Sequence, residues 1–185
     1  MNAPLRTPAL FTDQQFEAMT RKGAFVGAGR VELRGGVITP MSPVHISHSR
    51  IMTALLIEAH LRASEKGFEA SAEVSIRFGD GFQPTADIVI WDPAAAPPFD
   101  GPIPKEAVRL VIEVADASLA DDLGQKLLDY AQAGLAEYWV ADVQARLIHR
   151  CRQPSAEGYR VREAVRFGEP CAALTLPLTL DTAKL

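Results

Sequence analysis

Glu113 stands in the run Val108-Arg109-Leu110-Val111-Ile112-Glu113-Val114-Ala115, where almost every neighbour is apolar. Burying a polar group without a partner costs on the order of 2–7 kcal/mol, and a carboxylate costs more, so this residue needs compensation. Two other groups bear on it. Asp87 begins a second apolar run, Asp87-Ile88-Val89-Ile90-Trp91, and Lys126 lies on the helix expected after the first run. Two acids and a lysine gathered by a sheet and a helix suit a divalent-cation site for phosphodiester chemistry. Carboxylate oxygens suit Mg²⁺ or Mn²⁺, and an ammonium group can orient a water or offset charge on a phosphate.

The elements that must position these groups follow from strand and helix periodicity. Side chains alternate along a strand, so Glu113 shares a face with Val111, and Asp87 shares one with Val89 and Trp91. Both runs are apolar on both faces and are expected to be central, covered strands. If they are antiparallel neighbours, Asp87 and Glu113 converge at one end, where their repulsion raises a pKa or recruits a cation. The bland alternative makes Asp87 a turn residue and pairs Glu113 with a structural arginine. Asp122, Lys126 and Tyr130 are four apart on the following helix and fall on one stripe. An exposed Asp122–Lys126 pair is the ordinary reading; beside two acids, Asp122 and Tyr130 become supports that fix Lys126.

Other chemistry is less well supported. His45 and His48 lie three apart at the start of a long helix, without an evident third ligand of zinc type, so helix-start packing or capping is the preferred role for His45. No Ser-His-Asp order, phosphate-cradling glycine loop or cysteine metal pattern is convincing.

The chain has 185 residues, 48% hydrophobic and 23% charged, enough for one domain with a real core. No apolar run approaches the roughly 18 residues that span a bilayer, and Met1–Leu10 lacks the apolar core of a signal peptide. Cys151 and Cys171 have no paired spacing and are expected to be reduced packing residues of a cytoplasmic protein. A net charge of −4 argues against a constitutive nucleic-acid coat but leaves room for brief contact through a local patch. Arg50, Arg62, Lys66, Arg77 and Lys105 are candidates for such a basic cleft.

Along the chain, Thr12-Asp13-Gln14-Gln15 predicts a capped helix ending near Gly23. Residues 30–33 and 37–39 predict a hairpin around Gly35-Gly36, and a long helix follows Pro43–His48 through about Lys66. Strands are expected over 74–78, 86–91 and 108–115. The proline-rich segment 92–105 is expected to be an extended loop between the last two. A helix is expected over 118–133, closed by Gly134. A hairpin over 137–141 and 146–151 comes next, then a strand over 159–165 and a weak strand or coil over 174–180. This order predicts a mixed α/β domain around one central sheet.

Several segments taken together resemble a known family. They are Glu32-Leu33-Arg34-Gly35-Gly36-Val37-Ile38, Met41-Ser42-Pro43 with His48, Pro84-Thr85-Ala86-Asp87, Ile112-Glu113-Val114, Asp122 to Tyr130, and Glu137-Tyr138-Trp139-Val140-Ala141-Asp142. They resemble the Uma-two (Uma2) family of restriction-endonuclease-like proteins, within the PD-(D/E)xK nuclease superfamily, over residues 10 to 180. The resemblance implies one domain over 1–185 with an N-terminal extension at 1–9. Its fold would be a restriction-endonuclease-like α/β one, a central mixed sheet flanked by helices.

The resemblance also implies a metal-dependent endonuclease acting on DNA, with Asp87, Glu113 and Lys126 catalytic. Mg²⁺ or Mn²⁺ would be held by Asp87, Glu113 and the Val114 carbonyl, while Glu32 and His48 match further positions near the site. A homodimer that cuts both strands is implied on the same ground. The chain departs from the family pattern in places: Ala115 stands where the motif lysine is usual, Ala86 precedes Asp87, and Asp116-Ala117 follows the second acid. The alternatives are a catalytically inactive binding or assembly module of the same fold, and a hydrolase of RNA or of a small phosphate ester.

Overall fold

A computed structural model describes residues 9–96 and 101–185. Helix α1 (Asp13–Arg21) opens on the expected capping box between Thr12 and Gln15. Strands β1 (Val31–Arg34) and β2 (Val37–Pro40) form the first hairpin. Its turn places Gly35 at φ 55° and Gly36 at φ 75°, left-handed conformations that favour glycine at both central positions. Helix α2 (Ile46–Ser64) follows, then β3 (Glu69–Arg77) and β4 (Thr85–Trp91). β3 begins earlier than the alternating run 74–78 suggests, because its first half is paired along β4.

The segment expected to be an extended loop also contains structure. Pro93–Ala95 forms a 3-10 turn, and β5 (Ile103–Pro104) pairs parallel with β3 at the sheet edge. Proline lacks an N–H to donate, so an edge strand tolerates it where a central one does not. Pro97 and Pro98 lie outside the described residues.

β6 (Val108–Ala115) pairs antiparallel with β4 and parallel with β7 (Glu137–Asp142). The parallel β6–β7 pair requires a crossover, made by α3 (Leu119–Asp122) and α4 (Gln125–Gln132). Sequence periodicity predicts one helix over 118–133, and the structure corrects this to two. The break is at Gly124, whose φ of −106° and ψ of −110° leave the helical region. A Cβ there would lie 2.4 Å from the Ala120 carbonyl oxygen, so only glycine fits.

Strands β8 (Leu147–Ser155) and β9 (Gly158–Arg166) complete a seven-stranded mixed sheet of order β5-β3-β4-β6-β7-β8-β9. The tail forms a short pair, β10 (Cys171–Ala172) with β11 (Thr179–Leu180).

Both faces of the central strands are covered, as their continuous apolar runs require. On one face Val89, Val111 and Tyr138 pack with Leu127, Tyr130 and Ala131 of α4. On the other, Ile88, Ile112 and Trp139 pack with Leu55, Ala59 and Ala63 of α2 and with Leu176, Leu178 and Leu180 of the tail. Cys151 and Cys171 are free, buried and in different cores. Among the described residues, no helix is long and apolar enough to cross a membrane.

Candidate active site

The β4–β6 ladder runs from Trp91 opposite Val108 to Ile88 opposite Ile112 and stops there. The next residues on the two strands are Asp87 and Glu113. The Asp87 amide donates to Glu113 Oε2 at 3.4 Å, and the Val114 amide donates to Asp87 Oδ2 at 2.8 Å. Each carboxylate thus serves a main-chain donor of the opposite strand where the regular ladder has ended. On the other side of β4, pairing with β3 is interrupted at Glu73, which has φ 52°. Asp87 is released from both ladders at one point, at the floor of a cleft of about 380 Å³.

Lys126 reaches this floor from α4. Its Nζ lies 3.0 Å from Glu113 Oε1 and 3.8 Å from Asp122 Oδ1. The crossover geometry explains the approach: α4 packs on the Glu113 face of the sheet, and the Gly124 break turns the chain between Asp122 and Lys126. Tyr130, one helical turn beyond Lys126, donates its hydroxyl to Glu113 Oε1 at 2.9 Å. Tyr130 therefore supports Glu113 directly, where the sequence stripe suggested support for Lys126. Asp122 does support Lys126, and it is itself held by the Ser118 hydroxyl.

His48, in the first turn of α2, bonds Asp87 Oδ2 through Nε2 at 3.0 Å. Glu32 reaches the cleft from β1 and accepts the Thr85 amide at 3.2 Å. His45 occupies the N-cap position of α2 at the cleft rim, and its side chain makes no capping bond.

The electrostatics follow from four carboxylates, Glu32, Asp87, Glu113 and Asp122, around one buried ammonium. Burial pushes Glu113 up to about 8; Lys126 opposes the rise, and Asp87 and Asp122 add to it. Burial also raises Asp122 against the pull of Lys126 and Ser118. Asp87 goes the other way: the bond and charge of His48 and the Val114 amide outweigh its burial and hold it below the usual carboxylate range. The bond to Asp87 raises His48 against its burial. Burial alone would lower Lys126, but the surrounding acids, Glu113 foremost, hold it above the ordinary lysine value.

This donor set fits a hard divalent cation. Among the described residues no three His, Cys, Asp or Glu side chains form a ready-made metal cage. Mg²⁺, however, typically takes only one or two carboxylates and completes its shell with water and substrate phosphate. Asp87 Oδ1 accepts from no described donor, and Glu113 Oε2 accepts only the long bond from the Asp87 amide. Four carboxylates around one ammonium leave a negative excess that a cation would neutralise.

All of the residues singled out by sequence, Glu32, His48, Asp87, Glu113, Val114, Asp122, Lys126 and Tyr130, meet in or directly behind this cleft. The residues suggested for a basic cleft, Arg50, Arg62, Lys66, Arg77 and Lys105, do not line this one. Arg62 pairs with Glu58, and Arg77 with Glu17.

One important residue escaped sequence reasoning. Arg34 bonds Asp121 at 2.6 and 3.1 Å and Asp129 at 3.1 Å, latching the β1–β2 hairpin to both helices flanking Gly124. The available signal was its position two residues from Glu32 on a strand, which puts both on one face.

Residues 13–183 match the Uma2 family, described as "putative restriction endonuclease". No curated protein matches the sequence. In fold the chain is similar to the crystal structure of a putative nuclease of the DUF820 family from Anabaena variabilis. That similarity has a TM-score of 0.64 at 19% identity and covers 85% of this chain and 89% of the other. The match over nearly the whole sequence, on a mixed sheet that brings Asp87, Glu113 and Lys126 together, shows that the chain belongs to the Uma2 family.

Proposed function

We propose that this protein is a metal-dependent endonuclease that hydrolyses DNA phosphodiester bonds. The observation that carries the reading is the convergence of Asp87, Glu113 and Lys126 at the floor of one cleft. Asp87 and Glu113, with the Val114 carbonyl, would hold Mg²⁺ or Mn²⁺. When bound, such an ion supplies Lewis acidity toward a phosphate oxygen and acidifies water.

The chain's own residues do the rest. Lys126 is kept protonated by the acids around it, so it acts as a fixed positive charge and hydrogen-bond donor. It orients the attacking water or offsets charge growing on the phosphate. Asp122 holds Lys126, Tyr130 holds Glu113, and His48 holds Asp87, so each group is oriented before substrate arrives. DNA would be a transient partner, and two copies of the chain, in the cytoplasm, would pair to cut both strands.

A second reading is favoured by one observation. The cleft's cations are already engaged: Arg30 with Glu73, Arg34 with Asp121 and Asp129, and Lys126 with Glu113. That suits a nuclease-fold binding or assembly module with structural ion pairs. Calorimetric titration of Mn²⁺ into wild type and Asp87→Ala separates the two. The nuclease reading expects binding that the substitution abolishes, together with Mn²⁺-dependent cleavage of duplex DNA that Lys126→Ala lowers by 100-fold or more without loss of Mn²⁺ binding. No cation binding and no cleavage of DNA, RNA or a small phosphate ester by folded wild type favours the module. Cleavage of only the last two makes it a hydrolase of another substrate.

A further inference from the structure

The β8–β9 hairpin is a basic island on an acidic chain. Residues 146–166 contain six arginines, two glutamates and no lysine, a charge of +4 that leaves −8 on the remainder of a chain of net −4. Ion pairing sharpens the contrast. Outside this segment every described arginine except Arg50 is ion-paired with a carboxylate. Inside it only Arg150 is, with Glu163. Arg162 donates to the Tyr159 carbonyl, whereas Arg146 lies over the Phe167 ring on the other face of the sheet. The Tyr159 carbonyl, a neutral partner, fixes the Arg162 guanidinium group without cancelling its charge. Arg160, Arg162 and Arg166 are all exposed.

The sheet relates this charge to the cleft. Glu113 stands opposite Val140, Val140 opposite His149, and His149 opposite Ala164. Residues opposite one another share a face, so Arg162 and Arg166 bracket the Glu113 row on the Glu113 side of the sheet. Three strand spacings separate that row's ends, roughly 14 Å. Arg162 and Arg166 are themselves four residues apart, about 13 Å along an extended strand, comparable with the major-groove width of about 12 Å. Guanidinium groups also match phosphate oxygens in a way that lysine does not.

We propose that β8–β9 is the surface on which duplex DNA docks by its phosphate backbone, with Arg160, Arg162 and Arg166 touching the phosphates. This rests on the nuclease reading for the choice of DNA as partner. It puts affinity on the sheet edge and leaves the ion-paired cleft to chemistry, which explains how an acidic protein can hold a polyanion. The geometry sets a backbone interaction without base readout.

The test is fluorescence anisotropy of a labelled duplex with the full chain in EDTA, so that binding is read without cleavage. The triple variant Arg160→Gln, Arg162→Gln, Arg166→Gln is expected to bind tenfold or more weakly at moderate salt. Its slope of log affinity against log salt should fall by roughly 0.9 for each phosphate that the variant no longer neutralises. The corresponding triple lysine variant should keep most of that slope. Unchanged affinity and slope in the glutamine variant would overturn the proposal, as would self-association as its sole defect, since edge-strand charge also guards against pairing.

Should the variant fail to fold, hydrogen exchange of the wild type with and without duplex in EDTA decides. Protection across 146–166 is expected, and protection confined to the cleft rim would refute the docking surface. Loss of binding to phosphatidylserine vesicles with DNA binding intact would refute it too. A chain that cuts DNA yet binds it without β9 loses only this inference. A chain that binds DNA through β9 but neither takes Mn²⁺ nor cuts loses only the nuclease reading.

Discussion

Glu113 shows how much one residue's environment sets its chemistry. It is 2% exposed, bonded by Tyr130 and Lys126, and pushed by burial to about 8. Because its carboxyl is raised above the usual value near 4.5, the folded protein holds a proton there that the unfolded chain loses between those two pH values. That proton has two consequences, opposite in sign. Without a cation, the Glu113 contribution to stability declines as pH rises from about 4.5 to about 8. Cation binding must also expel that proton, so affinity should rise with pH up to about 8 and then level off. Calorimetry of Mn²⁺ binding in buffers of different ionisation heat should show close to one proton released per ion at pH 7. Glu113→Gln should show none, and equal release from both proteins would assign the proton elsewhere. The pairing of an acid at 113 with a lysine at 126 was legible in the sequence, because an acid in an apolar run demands a partner. The role of Tyr130 was not, because helical spacing gives the stripe a side chain lies on and not which neighbour its hydroxyl reaches.

At the scale of elements, the break between α3 and α4 is the device that places Lys126. Arg34 spans it, holding Asp121 on one side and Asp129 on the other. Gly124→Ala would push a methyl group to within 2.4 Å of the Ala120 carbonyl oxygen. Relieving an overlap of this kind costs on the order of 1–3 kcal/mol. The substitution should therefore lower stability by about 2 kcal/mol or more in urea unfolding and displace Lys126. Unaltered stability would mean that the crossover tolerates a continuous helix. Apolar periodicity alone predicts that continuous helix, since the stripe of Leu123, Leu127 and Ala131 crosses the break without interruption. A single glycine inside a helical pattern is permitted locally; whether it bends depends on the sheet beneath it.

The whole molecule is closed by its tail. Leu176, Leu178 and Leu180 cover the second face of the sheet beside α2. Glu137, fully buried on β7, fastens that tail by accepting the Leu174 and Thr175 amides and the Thr175 hydroxyl, and it also accepts the Trp139 indole N–H. Glu137→Ala leaves the buried Trp139 indole N–H unpaired, at roughly 1–3 kcal/mol, and removes charge-assisted bonds to the half-buried Leu174 and exposed Thr175 donors that water replaces only in part. A loss of about 3 kcal/mol or more in denaturant unfolding is expected, and a loss below about 1 kcal/mol would show that the tail holds by apolar packing alone. By itself the sequence determined most of the order of helices and strands, the two covered central strands and which acids and lysine are the candidates, since periodicity, capping and the cost of burying charge are local. Only the tertiary structure decided that β6 and β7 run parallel, that residues 103–104 add an edge strand, that the cleft's cations are spent on nearby acids, and that Arg160, Arg162 and Arg166 stand without acidic partners on β9. Strand neighbours and ion pairs join residues tens of positions apart, and no local pattern encodes which of many compatible partners the packed chain will bring within reach.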